Sequence, residues 1–75
     1  MTKQITAEEI FRCNASRMAI GPSVAGYTLN YSVDGQNWTA YGEQVPAGEQ
    51  CVVDGVVPSM YFKLAGNTDN VTVID

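Results

Sequence analysis

"YTLNYSVDGQNWTAY", residues Tyr27 to Tyr41, is the stretch on which the fold turns. Tyr27, Leu29, Tyr31 and Val33 point one way along it and Thr28, Asn30 and Ser32 the other, the period-two pattern of a half-buried β-strand. Asp34-Gly35 follows at once. A glycine able to take positive φ beside a turn-favouring aspartate is the strongest short-range signal for a hairpin. A tight two-residue turn would set Ser32 opposite Asn37, Tyr31 opposite Trp38 and Leu29 opposite Ala40, with every apolar residue on one face. A longer loop through Gln36 and Asn37 would change the register and the pairing of Trp38. The tight turn predicts Tyr31 and Trp38 side by side on a buried face, with Trp38 as the largest contributor to the core. Tyr41 falls on the polar face of the hairpin, where it is a candidate surface-binding residue.

The chain beyond this hairpin reads the same way. "EQCVVDG" is a short strand stopped at Asp54-Gly55, "SMYFKLAG" is another stopped at Gly66, and "NVTVID" is a last one with Val71 and Val73 alternating against Thr72 and Ile74. Pro46, Pro58, Gly42, Gly48, Gly55 and Gly66 punctuate the chain at short intervals, as in all-β sandwiches and barrels.

The first twenty residues are ambiguous. Thr6-Ala7-Glu8-Glu9 matches a capping box and favours a helix from about Ala7 to Ser16. Against a helix, Ile5, Ile10, Phe11, Cys13 and Met18 form no 3.6-residue stripe, and "EIFRCN" and "RMAI" each suit a strand, the reading preferred here. "GPSVAG", residues 21–26, is then a loop. The expected fold is all-β: one small antiparallel sandwich or barrel of six to seven short strands over residues 1–75, with a short N-terminal helix as the open alternative.

Composition narrows the function. Seventy-five residues bury only about 60% of the surface the unfolded chain exposes, so the core is thin. A 45% hydrophobic, 16% charged composition is nonetheless that of a folded chain. Net charge is −4, with only Lys3, Arg12, Arg17 and Lys63 as scattered cations. That argues against a nucleic-acid partner, which needs a basic face, and against docking on an anionic membrane. No stretch approaches the roughly 20 apolar residues of a membrane span. "MTKQITAEEIFRCN" lacks the apolar run of a secretory signal, which predicts a protein that stays in the cytoplasm where it is made, provided Met1 is the natural start. Cys13 and Cys51 are then expected as free thiols. Sequons at Asn14, Asn30, Asn37 and Asn70 carry no weight in that setting.

Catalytic chemistry has little to work with. There is no His, the commonest general base and metal ligand, and two Cys thirty-eight positions apart cannot close a zinc site alone. No P-loop is present. Pairing Asp34 with Asp54 or Asp69 as acid and base is the sharpest enzymatic reading. Yet Asp34 and Asp54 each precede a Gly at a strand end, where Asp serves local backbone donors. "DGQN" and "NTDN" share the oxygen-rich composition of calcium loops without EF-hand spacing. The expectation is a non-enzyme with no cofactor and no metal.

"YSVDGQNWTAY" resembles the Ser-x-Asp-Gly-x-x-Trp hairpin of discoidin-type (coagulation factor 5/8 C-terminal type) domains and, more loosely, the Asp-box hairpins of propellers. "SMYFKL" with "NVTVID" is similar to the closing strands of the discoidin jelly roll. The likeness covers about half the chain, and those domains are about twice as long, so it implies a hairpin and a β-fold, with no ligand loops to carry over. The chain also looks like small acidic accessory proteins of phages and prophages that decorate capsids or form head fibres. The resulting expectation is a structural or assembly module, with a virion as one setting, that self-associates or docks on a larger protein lattice. Ile5, Ile10, Phe11 and Met18 appear in excess of one small core and available for that contact. A small carbohydrate-binding module is the alternative, with a glycan as partner.

Overall fold

The computed structural model describes residues 2–57 and 59–75, and Pro58, expected as a break between strands, lies outside them. Among the described residues there are seven strands and no helix: β1 (Thr2–Ile5), β2 (Arg17–Ile20), β3 (Thr28–Ser32), β4 (Thr39–Ala40), β5 (Cys51–Asp54), β6 (Tyr61–Ala65) and β7 (Val71–Ile74). They form two antiparallel sheets, one in the order β1-β7-β2-β5 and one in the order β4-β3-β6. The two sheets make a small sandwich and do not close into a barrel.

Alternation decides what lies between them. Ile5, Met18, Ile20, Val53, Val71 and Val73 point inward from the four-stranded sheet, and Leu29, Phe62 and Leu64 from the three-stranded one. Phe11, Cys13, Tyr27 and Val56 fill the core from the connections. Tyr27 is fully buried, and its hydroxyl donates to the carbonyls of Ile20 (3.3 Å) and Gly21 (3.1 Å) at the end of β2. A residue leading into one sheet is thereby tied to the other. Burial, and secondarily the neighbouring Cys51, pushes its phenol far above the ordinary tyrosine range.

The N-terminal segment resolves the helix-or-strand question in an unexpected way. Thr6 N–H and Oγ–H both donate to Glu9 Oε1 at 3.0 Å, and Glu9 N–H reaches the Thr6 carbonyl at 3.2 Å. The capping hydrogen bonds therefore form, but they close a turn, because Glu8 has φ of 65° and no helix can continue through it. The chain then runs along β6, where Phe11 and Phe62 exchange backbone hydrogen bonds at 2.8 Å and Glu8 N–H donates to the Leu64 carbonyl at 2.8 Å. This segment covers an edge that β6 would otherwise expose.

It also corrects the expectation of an apolar surplus. Ile5, Phe11 and Met18 are core residues, and only Ile10 is exposed. Lys3 fastens β1 to the far end of the chain: its ammonium lies 2.8 Å from Asp75 Oδ2 and also donates to the Arg12 carbonyl. Burial opposes ionisation of Asp75, but the Lys3 hydrogen bond, the Asn14 amide and nearby positive charge outweigh it and hold the carboxyl below its ordinary value.

Candidate functional site

Asp34 and Gly35 occupy the β3–β4 turn, and the geometry there shows why this aspartate is needed. Its Oδ1 accepts the amide hydrogens of Gln36 and Asn37, each at 2.8 Å, and Oδ2 accepts from Asn37 Nδ2 at 2.7 Å. Ser32 Oγ donates to Asp34 Oδ1 at 2.7 Å and accepts from the amides of Asp34 (3.2 Å) and Gly35 (2.9 Å). The amides of Asn37 and Gln36, then Ser32 and the Asn37 side chain, hold the Asp34 carboxyl well below the usual range. Gly35 has φ of 78°, the left-handed region the turn demands. All of the carboxylate's contacts named here are internal to the turn.

Capture of two successive amides lengthens the loop by a residue over the tight turn. The observed register is Tyr31↔Thr39 and Asn30↔Ala40, not Tyr31 opposite Trp38 or Leu29 opposite Ala40. A one-residue slip exchanges the faces of a strand. Trp38 consequently leaves the core and lies half-buried on the outer face of the three-stranded sheet, with Lys63 Nζ 4.6 Å from its ring centroid. The largest fully buried side chains are Tyr27 and Phe62 instead.

That outer face carries an alternating row of rings and cations. Lys63 also approaches Glu8 at 3.4 Å, and Tyr61 receives Arg12, whose guanidinium lies 4.4 Å from the ring centroid while Nη2–H donates to the phenol oxygen at 2.6 Å. Tyr41 is placed elsewhere. It follows Thr39 on the side of Tyr31, packs edge-on against the Tyr31 ring at 6.3 Å, and is 40% exposed. Tyr41 and Trp38 thus do not form one aromatic surface.

Asp54 sits in an exposed ion pair with Arg17 at 3.3 Å, and Asp69 Oδ1 accepts from Ser23 Oγ at 2.6 Å. Asp34, Asp54 and Asp69 each have their own local partners: the turn amides for Asp34, Arg17 for Asp54 and Ser23 for Asp69. Asp69 also borders a shallow cleft of about 450 Å³ with Pro22, Ser23, Val24, Ala47 and Gly48. Among the described residues no group of three or more His, Cys, Asp or Glu is arranged to hold a metal ion. Cys13 and Cys51 are both free, the first buried and the second half-buried, and burial raises the Cys51 thiol pKa.

The feature not foreseen lies on the other sheet. On the solvent face of the four-stranded sheet, Ala19 pairs with Ile74 on one side and with Val52 on the other, while Ile74 pairs with Thr2. Ile74 is 54% and Val52 47% exposed, so with half-buried Ala19 between them an apolar row crosses β7, β2 and β5 on the solvent side. Its signal in the sequence is the pair of doublets Val52-Val53 and Val73-Ile74. Two adjacent apolar residues in a strand put one of them on each face.

No family model matches the chain, and no curated protein or solved structure gives a significant match to it.

Proposed function

We propose that the protein is a non-catalytic assembly module that docks on protein through the outer face of its four-stranded sheet. The observation that carries this reading is the row Val52, Ala19 and Ile74, placed side by side by the strand register on a face where a sheet in water ordinarily alternates to polar residues. Apolar side chains set side by side on a sheet face favour a contact surface more than the same residues scattered singly would. The acidic composition and the look of a phage or prophage accessory protein fit a role on a capsid or a comparable lattice.

Fractionation of native cells tests it. The chain should co-sediment with large particles in fixed proportion, and an Ile74→Lys variant of unchanged melting temperature should move to the low-mass fraction. A parent chain found only in the low-mass fraction contradicts the reading.

A second reading, glycan binding, is favoured by one observation: half-buried Trp38 and Tyr61 lie on the outer face of the three-stranded sheet, although Lys63 and Arg12 each cover one face of these rings and leave only the other for a sugar. Aromatic faces stack on sugar rings. A glycan array probed with the parent and with Trp38→Ala distinguishes the two readings, since the assembly module gives no Trp38-dependent signal.

A further inference from the structure

The hydrogen-bonding directions along the four-stranded sheet can be followed strand by strand, and they end at an open edge. Gly21 N–H donates to the Thr72 carbonyl of β7 at 2.7 Å, whereas the Ser16 carbonyl, on the opposite side of the same chain segment, accepts from Val56 N–H beyond β5 at 2.9 Å. Backbone groups of successive residues alternate sides in an antiparallel ladder. Ala19 therefore turns its N–H and C=O to β7, and Met18 and Ile20 turn theirs to β5, where they meet Val53 and Cys51. Val52 and Asp54 are left with their backbone groups directed away from β2. Among the described residues no other strand pairs with β5, and no backbone hydrogen bond from a loop reaches Val52 or Asp54.

The remaining edges are managed differently. The segment through Glu8 and Phe11 covers β6, β4 is two residues long, and β1 carries Lys3 pointing toward the interior. The edge of β5 has none of these devices except Asp54, whose charge is already met by Arg17.

We infer that β5 is a self-pairing edge, and that a second copy of this chain adds there, antiparallel, about a two-fold axis through Val52. This rests on the assembly reading and names its first partner. A continuous sheet requires that paired residues share a face, which leaves the registers centred on Val52 or on Val53 as those that overlap most of the strand. Centring on Val53 would set Val52 against the second copy's Asp54. Centring on Val52 sets Val52 against itself, Cys51 against Val53, and Gln50 against Asp54, with an amide donor facing a carboxylate and no like charges opposed. It also extends the row Ile74, Ala19, Val52 into its own mirror sequence across the two-fold axis, so one apolar stripe spans the strands of both copies. Cys51, half-buried in the single chain, becomes covered by the second copy's Val53.

Sedimentation equilibrium on three proteins tests the inference: the parent, Val52→Lys and Ile74→Lys. Both substituted side chains are exposed in the single chain, so at dilution low enough to hold each as a single chain all three should share one circular dichroism spectrum and nearly one melting temperature. The parent should show a species of twice the chain mass, lost in Val52→Lys, where two ammonium groups meet at the axis, and retained in Ile74→Lys, which lies away from it. In the background Cys51→Ala, Val52→Cys should cross-link to a dimer under mild oxidation while Val24→Cys does not. Paired Cα atoms about 5.5 Å apart lie within disulfide reach. A parent that stays monomeric at hundreds of micromolar overturns self-pairing and leaves the lattice-docking reading to its own fractionation test. A dimer disrupted equally by both lysine variants overturns the edge in favour of face-to-face contact.

Discussion

Lys63 Nζ lies 4.6 Å from the centroid of the Trp38 ring, on the outer face of the three-stranded sheet. The pair exists because the hairpin register places Asn30 between Lys63 on one neighbouring strand and Ala40 on the other. Trp38, two positions before Ala40, shares that face.

The first prediction follows from this placement. Trp38→Ala removes a half-buried ring and should cost far less stability than Phe62→Ala, which empties a fully buried site and should cost about 3–5 kcal/mol. Lys63→Ala should cost about 0.5–1 kcal/mol for the lost cation–ring contact. Urea unfolding of the three variants checks the order. A Trp38→Ala loss equal to that of Phe62→Ala would return Trp38 to the core.

Gly35 is the second test. A Cβ built there would meet the Tyr61 ring at 3.7 Å, an ordinary contact, so substitution is limited by the backbone φ of 78° and not by space. Gly35→Val should therefore destabilise by at least about 1–2 kcal/mol. Gly35→Asn should be better tolerated, because Asn visits the left-handed region more readily. Thermal melts distinguish the two, and equal melting temperatures for Gly35→Val and the parent would contradict the turn geometry.

These two residues also show how far the sequence could be read. Asp34-Gly35 announces a turn, and Gly55 and Gly66 stop β5 and β6, because few residues other than glycine enter the left-handed region without strain. What local patterning could not set was the loop length. It depends on whether the Asp34 carboxylate gathers the amides of both Gln36 and Asn37, and one residue of difference moves Trp38 from one face to the other. The Thr6–Glu9 hydrogen bonds were legible as a cap, yet the same bonds close a turn once Glu8 adopts positive φ. The exposed row is a tertiary property: Val52, Ala19 and Ile74 are distant in sequence and meet only through the order β7-β2-β5.

Acid titration provides the third prediction. The Asp34 carboxyl is depressed in the folded state by the Asn37 and Gln36 amides, so its contribution to stability is full above the unfolded value of about 4 and declines as pH falls from there through the lower folded-state value. Asp34→Asn should lower stability at neutral pH and flatten the stability profile below about pH 4. A carbon-detected NMR titration showing the Asp34 carboxyl at an ordinary value would remove the basis for this.

Tyr27 joins the sheets through a single hydroxyl. Tyr27→Phe keeps the ring and strands the carbonyl of Gly21 without that donor, so a loss of about 1 kcal/mol is expected with no change in fold. Chemical denaturation measures it, and an unchanged midpoint would mean that the hydroxyl contributes nothing to holding β2 against the β3 entry.

The outer face of the four-stranded sheet is the surface we propose to dock on protein. Hydroxyl-radical footprinting tests it most directly, comparing the protein in the fraction it occupies in native cells with the isolated chain at high dilution. Val52 and Ile74 should be protected in the native fraction while Trp38 and Tyr61 react equally in both. Protection of Trp38 and Tyr61, with Val52 and Ile74 as reactive as in the isolated chain, would contradict the account and assign the work to the opposite face.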